Sequence, residues 1–446
     1  MTLKAVVGGT VIDGTGAAPI HDSVVLVADG RVQSVSRAAD TSVPEGTTII
    51  DATGRHVIPG LIDANAHLST WMPDVLLRHE GDYASLVEEG AQATLRSGVT
   101  TLFDTHGHLE SLTTVRDRIN RGDAMGSRIF VAGNIIGLDG PFSPDFFTAG
   151  SLLGSDTMQR INSQFENGVG SDLLRLTPDG LQRRVRDYIE RSSIDFVKYA
   201  SSGHGRQRHL IAFSETAQRA IVEEGHRAGL TVQAHSTTVE SLRLAIEAGA
   251  DLLQHGNLTS DTEMPDETLK TVVDRSLAVA ALMYTEKQHA WIQENGSEWI
   301  RTFIVNETTD QNNRRLIEAG ARLLLATDGF ALGPRILNHP LMAGLLKCAP
   351  PVYVLGESHF GWLEAVIERG MAPMDALQAA TRNIAVAYGQ ASDFGTLEPG
   401  KCADLLILDA DPLADVRNYR RIAEVMKDGA LIDRAALPTR RILTEE

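Results

Sequence analysis

Cysteine is nearly absent: Cys348 and Cys402 are the only two among 446 residues. Two cysteines cannot make a disulfide framework, and a reducing, cytoplasmic setting is the simpler expectation. Positive charge is also in deficit, with 41 Lys and Arg against 58 Asp and Glu and a formal net charge of -17. A surface of that sign repels nucleic acid and anionic membranes, so neither is expected as a partner. No apolar run is long enough to span a bilayer. The opening Met1-Thr2-Leu3-Lys4-Ala5-Val6 lacks the apolar core of a signal peptide. What remains is an ordinary soluble composition, 43% hydrophobic and 22% charged, long enough for a large barrel and an accessory module. A small-molecule substrate and a homo-oligomeric state are expected.

Both chain ends read as sheet. Val6-Val7, Thr10-Val11-Ile12, Ser23-Val24-Val25-Leu26-Val27 and Val32-Gln33-Ser34-Val35 are short β-branched runs, with turn signals such as Asp29-Gly30 between them. The tail repeats the character in Asp404-Leu405-Leu406-Ile407-Leu408 and in the turn Lys427-Asp428-Gly429. Residues 1–56 and 390–446 are therefore expected to build one small β-sandwich around a central insertion, 57–389. In that insertion apolar runs alternate with helical patterns. Eight strands are predicted around 57–62, 99–105, 128–133, 195–201, 231–236, 251–256, 277–284 and 322–328. Thr237 with Glu240 predicts a capping box for the helix that ends at Gly249. The fold class is α/β, a (β/α)8 TIM-like barrel carrying the terminal module. An open doubly wound sheet is disfavoured because no Gly-X-Gly-X-X-Gly turn follows an early strand.

In such a barrel, chemistry gathers where strands end. Candidate metal ligands fall there: Asn65 and His67 after the first strand, Lys198 in the fourth, His235 and His255 ending the fifth and sixth, Asp328 ending the eighth. A lone histidine beside a strand is usually structural, but this many coincidences at strand ends are hard to dismiss. The Pro59-Gly60-Leu61-Ile62-Asp63 approach, these ligands, Met374-Asp375-Ala376-Leu377-Gln378-Ala379-Ala380-Thr381 and Gly395-Thr396-Leu397-Glu398-Pro399-Gly400-Lys401 together resemble the amidohydrolase superfamily of metal-dependent hydrolases. The resemblance covers nearly the whole chain. Asn65 departs from the superfamily's His-X-His, and Asn-X-His is similar to the branch containing phenylurea hydrolases and molinate hydrolase.

The resemblance implies a divalent metal, zinc foremost with cobalt or manganese as alternatives, in one or two copies. It also implies a carbamylated Lys198 bridging toward His235 and His255, with His67 and Asp328 completing the set. A divalent ion acidifies water to a pKa of about 7, and a carboxylate at its rim, Asp328, moves the proton to the leaving nitrogen. Asn65 offers a weaker amide oxygen, so one firmly held ion is favoured. If Asn65 instead turns away, it hydrogen-bonds a loop. Tyr284, at the end of the seventh strand, is a candidate donor to the oxyanion. His106, His108, His204, Arg206 and Trp71, with Arg208, Phe142, Phe146 and Phe147, lie in active-face segments and are candidates to meet substrate. Each could equally be a packing or solvated residue. Ser69 and Ser201 have no base partner and no Gly-X-Ser-X-Gly elbow is present, which argues against a serine hydrolase. The expected activity is hydrolysis of an amide-like C–N bond, with ureas, carbamates and thiocarbamates favoured. The alternatives are a dipeptidase or N-acyl amino acid hydrolase of the same fold, and a silent ligand-binding barrel.

Overall fold

The computed structural model describes residues 3–69, 72–146, 155–298, 300–338 and 347–445. Its barrel strands are β1 (Leu61–Ala66), β2 (Val99–Asp104), β3 (Arg128–Val131), β4 (Val197–Ala200), β5 (Val232–His235), β6 (Leu252–Gln254), β7 (Ala278–Ala281) and β8 (Arg322–Leu325). All paired neighbours are parallel, β1 to β3 in one run and β4 to β8 in another. Buried on both faces, such strands carry near-continuous apolar sequence, as in Leu323-Leu324-Leu325-Ala326. Two seams close the ring just beyond the regular ladders. Ile136 donates to the Lys198 carbonyl at 2.9 Å and accepts from the Ala200 amide at 3.0 Å. On the other side the Asp328 amide donates to the Asn65 carbonyl at 2.9 Å and the His67 amide to the Gly329 carbonyl at 2.8 Å. Three strand-end residues predicted as ligands, Asn65, His67 and Asp328, thus help to close the barrel with their own backbones.

Each predicted strand has a counterpart, but the first is divided. His56–Pro59 pairs with Lys4–Val11 and Leu405–Leu408 in the terminal module, and the barrel begins only at Leu61. Gly60 sits at the handover, where a Cβ would lie 2.2 Å from Thr100 Oγ1. Lys4–Val11 has Ile20–Ala28 along one edge. Its other edge is shared by Thr48–Asp51 and His56–Pro59. Arg31–Arg37, Ile422–Lys427 and Ala430–Leu431 extend the sheet, so both chain ends weave into one module. That module has its own core, including Val6, Val25, Val57, Leu405 and Ile407.

The capping box is displaced by one residue. Thr238, not Thr237, caps Val239–Ala248, and Ser241 rather than Glu240 completes the box. The Ser241 hydroxyl is short enough to reach back to the Thr238 amide at 3.0 Å, while Glu240 pairs with Arg243 at the surface. The helix ends at Gly249 in the left-handed conformation, φ 89°.

Candidate active site at the barrel mouth

The carboxyl ends of the strands bring His67, Lys198, His235, His255 and Asp328 to one buried cavity. Lys198 reaches it from inside β4 because alternate residues of a strand share a face, opposite Val197 and Tyr199. His255 and Asp328 both adopt left-handed backbone, at φ 57° and 54°. Non-glycine residues rarely take that region, and its cost is characteristically borne at functional sites.

A directional hydrogen-bond chain joins the two halves of the site. Lys198 Nζ donates to Thr105 Oγ1 at 2.9 Å, and the Thr105 hydroxyl donates in a short contact to Asn65 Oδ1. Asn65 Nδ2 donates to Asp328 Oδ1 at 2.8 Å, and His67 Nε2 lies 3.0 Å from the same oxygen. The orientation of the Asn65 amide follows, since a flip would set its oxygen against a carboxylate. As arranged here, that oxygen faces Thr105 rather than the cavity. Thr105 was not singled out in the sequence.

Burial dominates the electrostatics. It pushes Lys198 down to about 8, opposed by Asp328 and Asp104. It lowers His255 to about 3 and His204 to about 4, and drives His235 and His106 well below the usual histidine range. Neutral imidazole is the metal-binding form. Burial alone would raise Asp328, but the His67 hydrogen bond, His255 and Lys198 outweigh it and hold the carboxyl well below its ordinary range. Asp104, close behind His67 and Lys198, is raised by burial to about 7.

The donor set fits a cation. Both ring nitrogens of His235 and Nδ1 of His255 are buried without a hydrogen-bond partner, a costly state for polar atoms that a metal ion would relieve. Among the described residues, no three His, Cys, Asp or Glu side chains form a metal-ready cluster by themselves. They fall into two pairs, His67 with Asp328 and His235 with His255, and Lys198 faces the same cavity. A carboxylate carried on Lys198 is the chemistry that would make one set of the two pairs.

The walls are largely aromatic. His106 lines the cavity and stacks on Phe146 at 4.5 Å, with both its ring nitrogens unpartnered. His204 also lines it, 4.7 Å from Phe146 and 5.2 Å from His235. Tyr284 is hydrogen-bonded to Tyr353 at 2.7 Å in an adjoining pocket that also includes Thr327. Tyr353, itself left-handed at φ 58°, went unnoticed in the sequence. His108 corrects an expectation: it does not line this cavity. Its ring caps the helix Leu109–Arg121 through the Ser111 amide and packs on Tyr83 and Phe165. A turn histidine one residue before a helix finds a free backbone donor there. Arg208 lies over Phe303, 4.6 Å from its ring centre, and Phe142 belongs to the core. The expectations for Trp71, Phe147 and the Arg206 side chain fall outside the described residues.

Known proteins resemble this chain over nearly its whole length. Residues 56–432 match the Amidohydrolase family. A solved structure of molinate hydrolase is 36% identical, covers 99% of this chain and 97% of its own, and superposes with a TM-score of 0.94. Phenylurea hydrolase B is 37% identical with 99% of both chains covered and a TM-score of 0.92. Ochratoxinase of Aspergillus niger is 24% identical over 445 residues, 95% of this chain and 85% of its own.

Proposed function

The chain belongs to the amidohydrolase family, and from that footing we propose that it hydrolyses a C–N bond in a neutral urea, carbamate or thiocarbamate. It is a metal-dependent hydrolase acting on carbon–nitrogen bonds. The observation that carries the substrate reading is the cavity's charge. Among the described residues lining it, Lys198 is the only Lys or Arg, and the rest of the wall is histidine, Phe146, Ile135 and Asp328. A dipeptide or N-acyl amino acid brings a carboxylate that calls for a dedicated cation such as arginine. The names of the two similar structures, molinate hydrolase and phenylurea hydrolase B, support the same class.

A divalent ion, zinc or else cobalt or manganese, would be held by His67, His235, His255, Asp328 and a carbamylated Lys198, supplying Lewis acidity toward the carbonyl and toward water. Asn65 donates to Asp328 Oδ1 and orients the carboxylate, and Asp328 is the group that would take the proton from water and deliver it to the departing nitrogen. The neutral His106 ring, which lines the cavity, is the candidate donor toward the developing oxyanion; Tyr284, bonded to Tyr353 in the adjoining pocket, does not line it. Phe146 keeps bulk water out.

The test measures metal content of the purified protein together with turnover of a panel of ureas, carbamates, thiocarbamates, simple amides and dipeptides, before and after chelation. Stoichiometric metal and chelation-sensitive turnover of the neutral substrates are expected. Preferential cleavage of dipeptides would overturn the substrate reading, and turnover untouched by complete metal removal would overturn the site assignment.

A further inference from the structure

We propose that Thr105 is a positioning residue whose hydroxyl fixes the Asn65 amide against Asp328 and whose oxygen holds the Lys198 nitrogen at the cavity wall by accepting its N–H. This rests on the site reading above, in which Lys198 becomes a carbamate and Asp328 moves the proton.

The geometry leaves Thr105 a single role. Asn65 must present Nδ2 to the Asp328 carboxylate, so its Oδ1 needs a donor on the opposite side. Thr105 supplies its only hydroxyl hydrogen there. It can therefore act toward Lys198 only as an acceptor, and Nζ must point an N–H at it, as it does at 2.9 Å. Thr105 is fully buried, and its own amide donates to the Ala66 carbonyl at 3.2 Å. It is thus fixed to the end of β1 and held from solvent competition. Thr105 Oγ1 thus holds Nζ at the wall of the cavity that His235, His255 and Asp328 also line.

Carbon dioxide is captured by the neutral amine. The Nζ lone pair forms the N–C bond, one C=O electron pair moves onto oxygen, and one N–H proton leaves to water. The nitrogen keeps a single N–H, and Thr105 Oγ1 remains its acceptor. The hydroxyl therefore suits the lysine before and after modification.

Thr105→Val keeps the volume and removes the hydroxyl. Thr105→Ser keeps the hydroxyl, and Thr105→Ala serves as the contrast to Ser if Val does not fold. Carbamate occupancy is read by carbon NMR on protein equilibrated with 13C-bicarbonate, alongside kcat and KM. Occupancy and kcat are expected to fall about 10- to 100-fold in the Val or Ala variant, with KM little changed. Ser should restore both, and high bicarbonate should partly rescue kcat. A merely structural residue would not respond to bicarbonate. Full occupancy and kcat in folded Thr105→Val, or a loss that Ser does not restore, would overturn the proposal while leaving the site reading intact. Absence of any carbamate signal in the active wild-type protein would overturn both.

Discussion

Phe146 stacks on His106 with an interplanar angle of 2° and lies 4.7 Å from His204, while the cavity beneath has a volume of only about 20 Å³. That is room for an ion or a water, against about 300 Å³ or more for an ordinary small-molecule site. Phe146 forms a wall of the cavity in which Asp328 lies. Phe146→Ala is expected to favour bulky N-aryl over N-methyl substrates by about tenfold in relative kcat/KM, the scale at which pocket size discriminates. Unchanged relative kcat/KM across a graded substrate series would show that Phe146 does not set the wall. The ligand-type residues stand out in the sequence because so many of them fall at the ends of separate strands, although each alone would read as structural. Thr105 and Tyr353 do not, because a hydroxyl signals nothing until its partners, here 40 and 69 residues away, are in place. His106 and His108 read alike as a His-X-His pair, yet one faces the cavity and the other caps a helix. Spacing does not reveal which backbone donors lie nearby.

At the scale of elements, the apolar stretch from Val57 to Ile62 shows where pattern alone runs out. Buried strands lack alternation, so the apolar pattern of the run does not by itself mark the change from module to barrel at Gly60. Only partner strands reveal it, Leu405–Leu408 for one half and β2 for the other. The glycine is required by contact rather than by backbone angle, since a Cβ would meet Thr100 at Oγ1, Cγ2 and Cβ at 2.2, 2.5 and 2.9 Å. Gly60→Ala must push β2 away from the handover, an overpacking that ordinarily costs about 1–3 kcal/mol. A lower urea midpoint is expected, with Gly60→Ala/Thr100→Ser recovering part of the loss by removing the Cγ2 methyl. Equal midpoints for wild type and Gly60→Ala would mean the close approach carries no constraint. Several of the other strand predictions held because an end coincides with a helix-closing glycine, as Gly98 before β2, or with a ligand-type residue, as Asp328 after β8, both visible locally.

Across the whole molecule, the barrel and terminal module are joined by a mostly buried cation. Arg128, first residue of β3, donates from Nη1 to Asp404 at 2.6 Å and to Thr101 at 2.9 Å, and pairs through Nη2 with Asp428. Its side chain is 14% exposed and that of Asp404 is 5% exposed. Phe394 lies 5.3 Å from the guanidinium. Removing one partner of such a pair leaves the other charge stranded, at a cost of about 3–5 kcal/mol. The start of β3 is at the barrel's amino end, and the proposed chemistry is at the carboxyl ends, so stability and catalysis should separate. Arg128→Met is expected to lower the melting temperature markedly while the folded fraction keeps its kcat and KM. In Arg128→Met/Asp404→Asn the stranded charge is gone, and the amide oxygen can still accept from the Asp428 amide that now bonds Asp404 Oδ1 at 2.7 Å. The double variant should therefore melt above Arg128→Met. If it melts no higher, the loss comes from packing against Phe394. If kcat falls with the melting temperature in both variants, the module reaches the site through β3, and the two ends of the barrel are not independent.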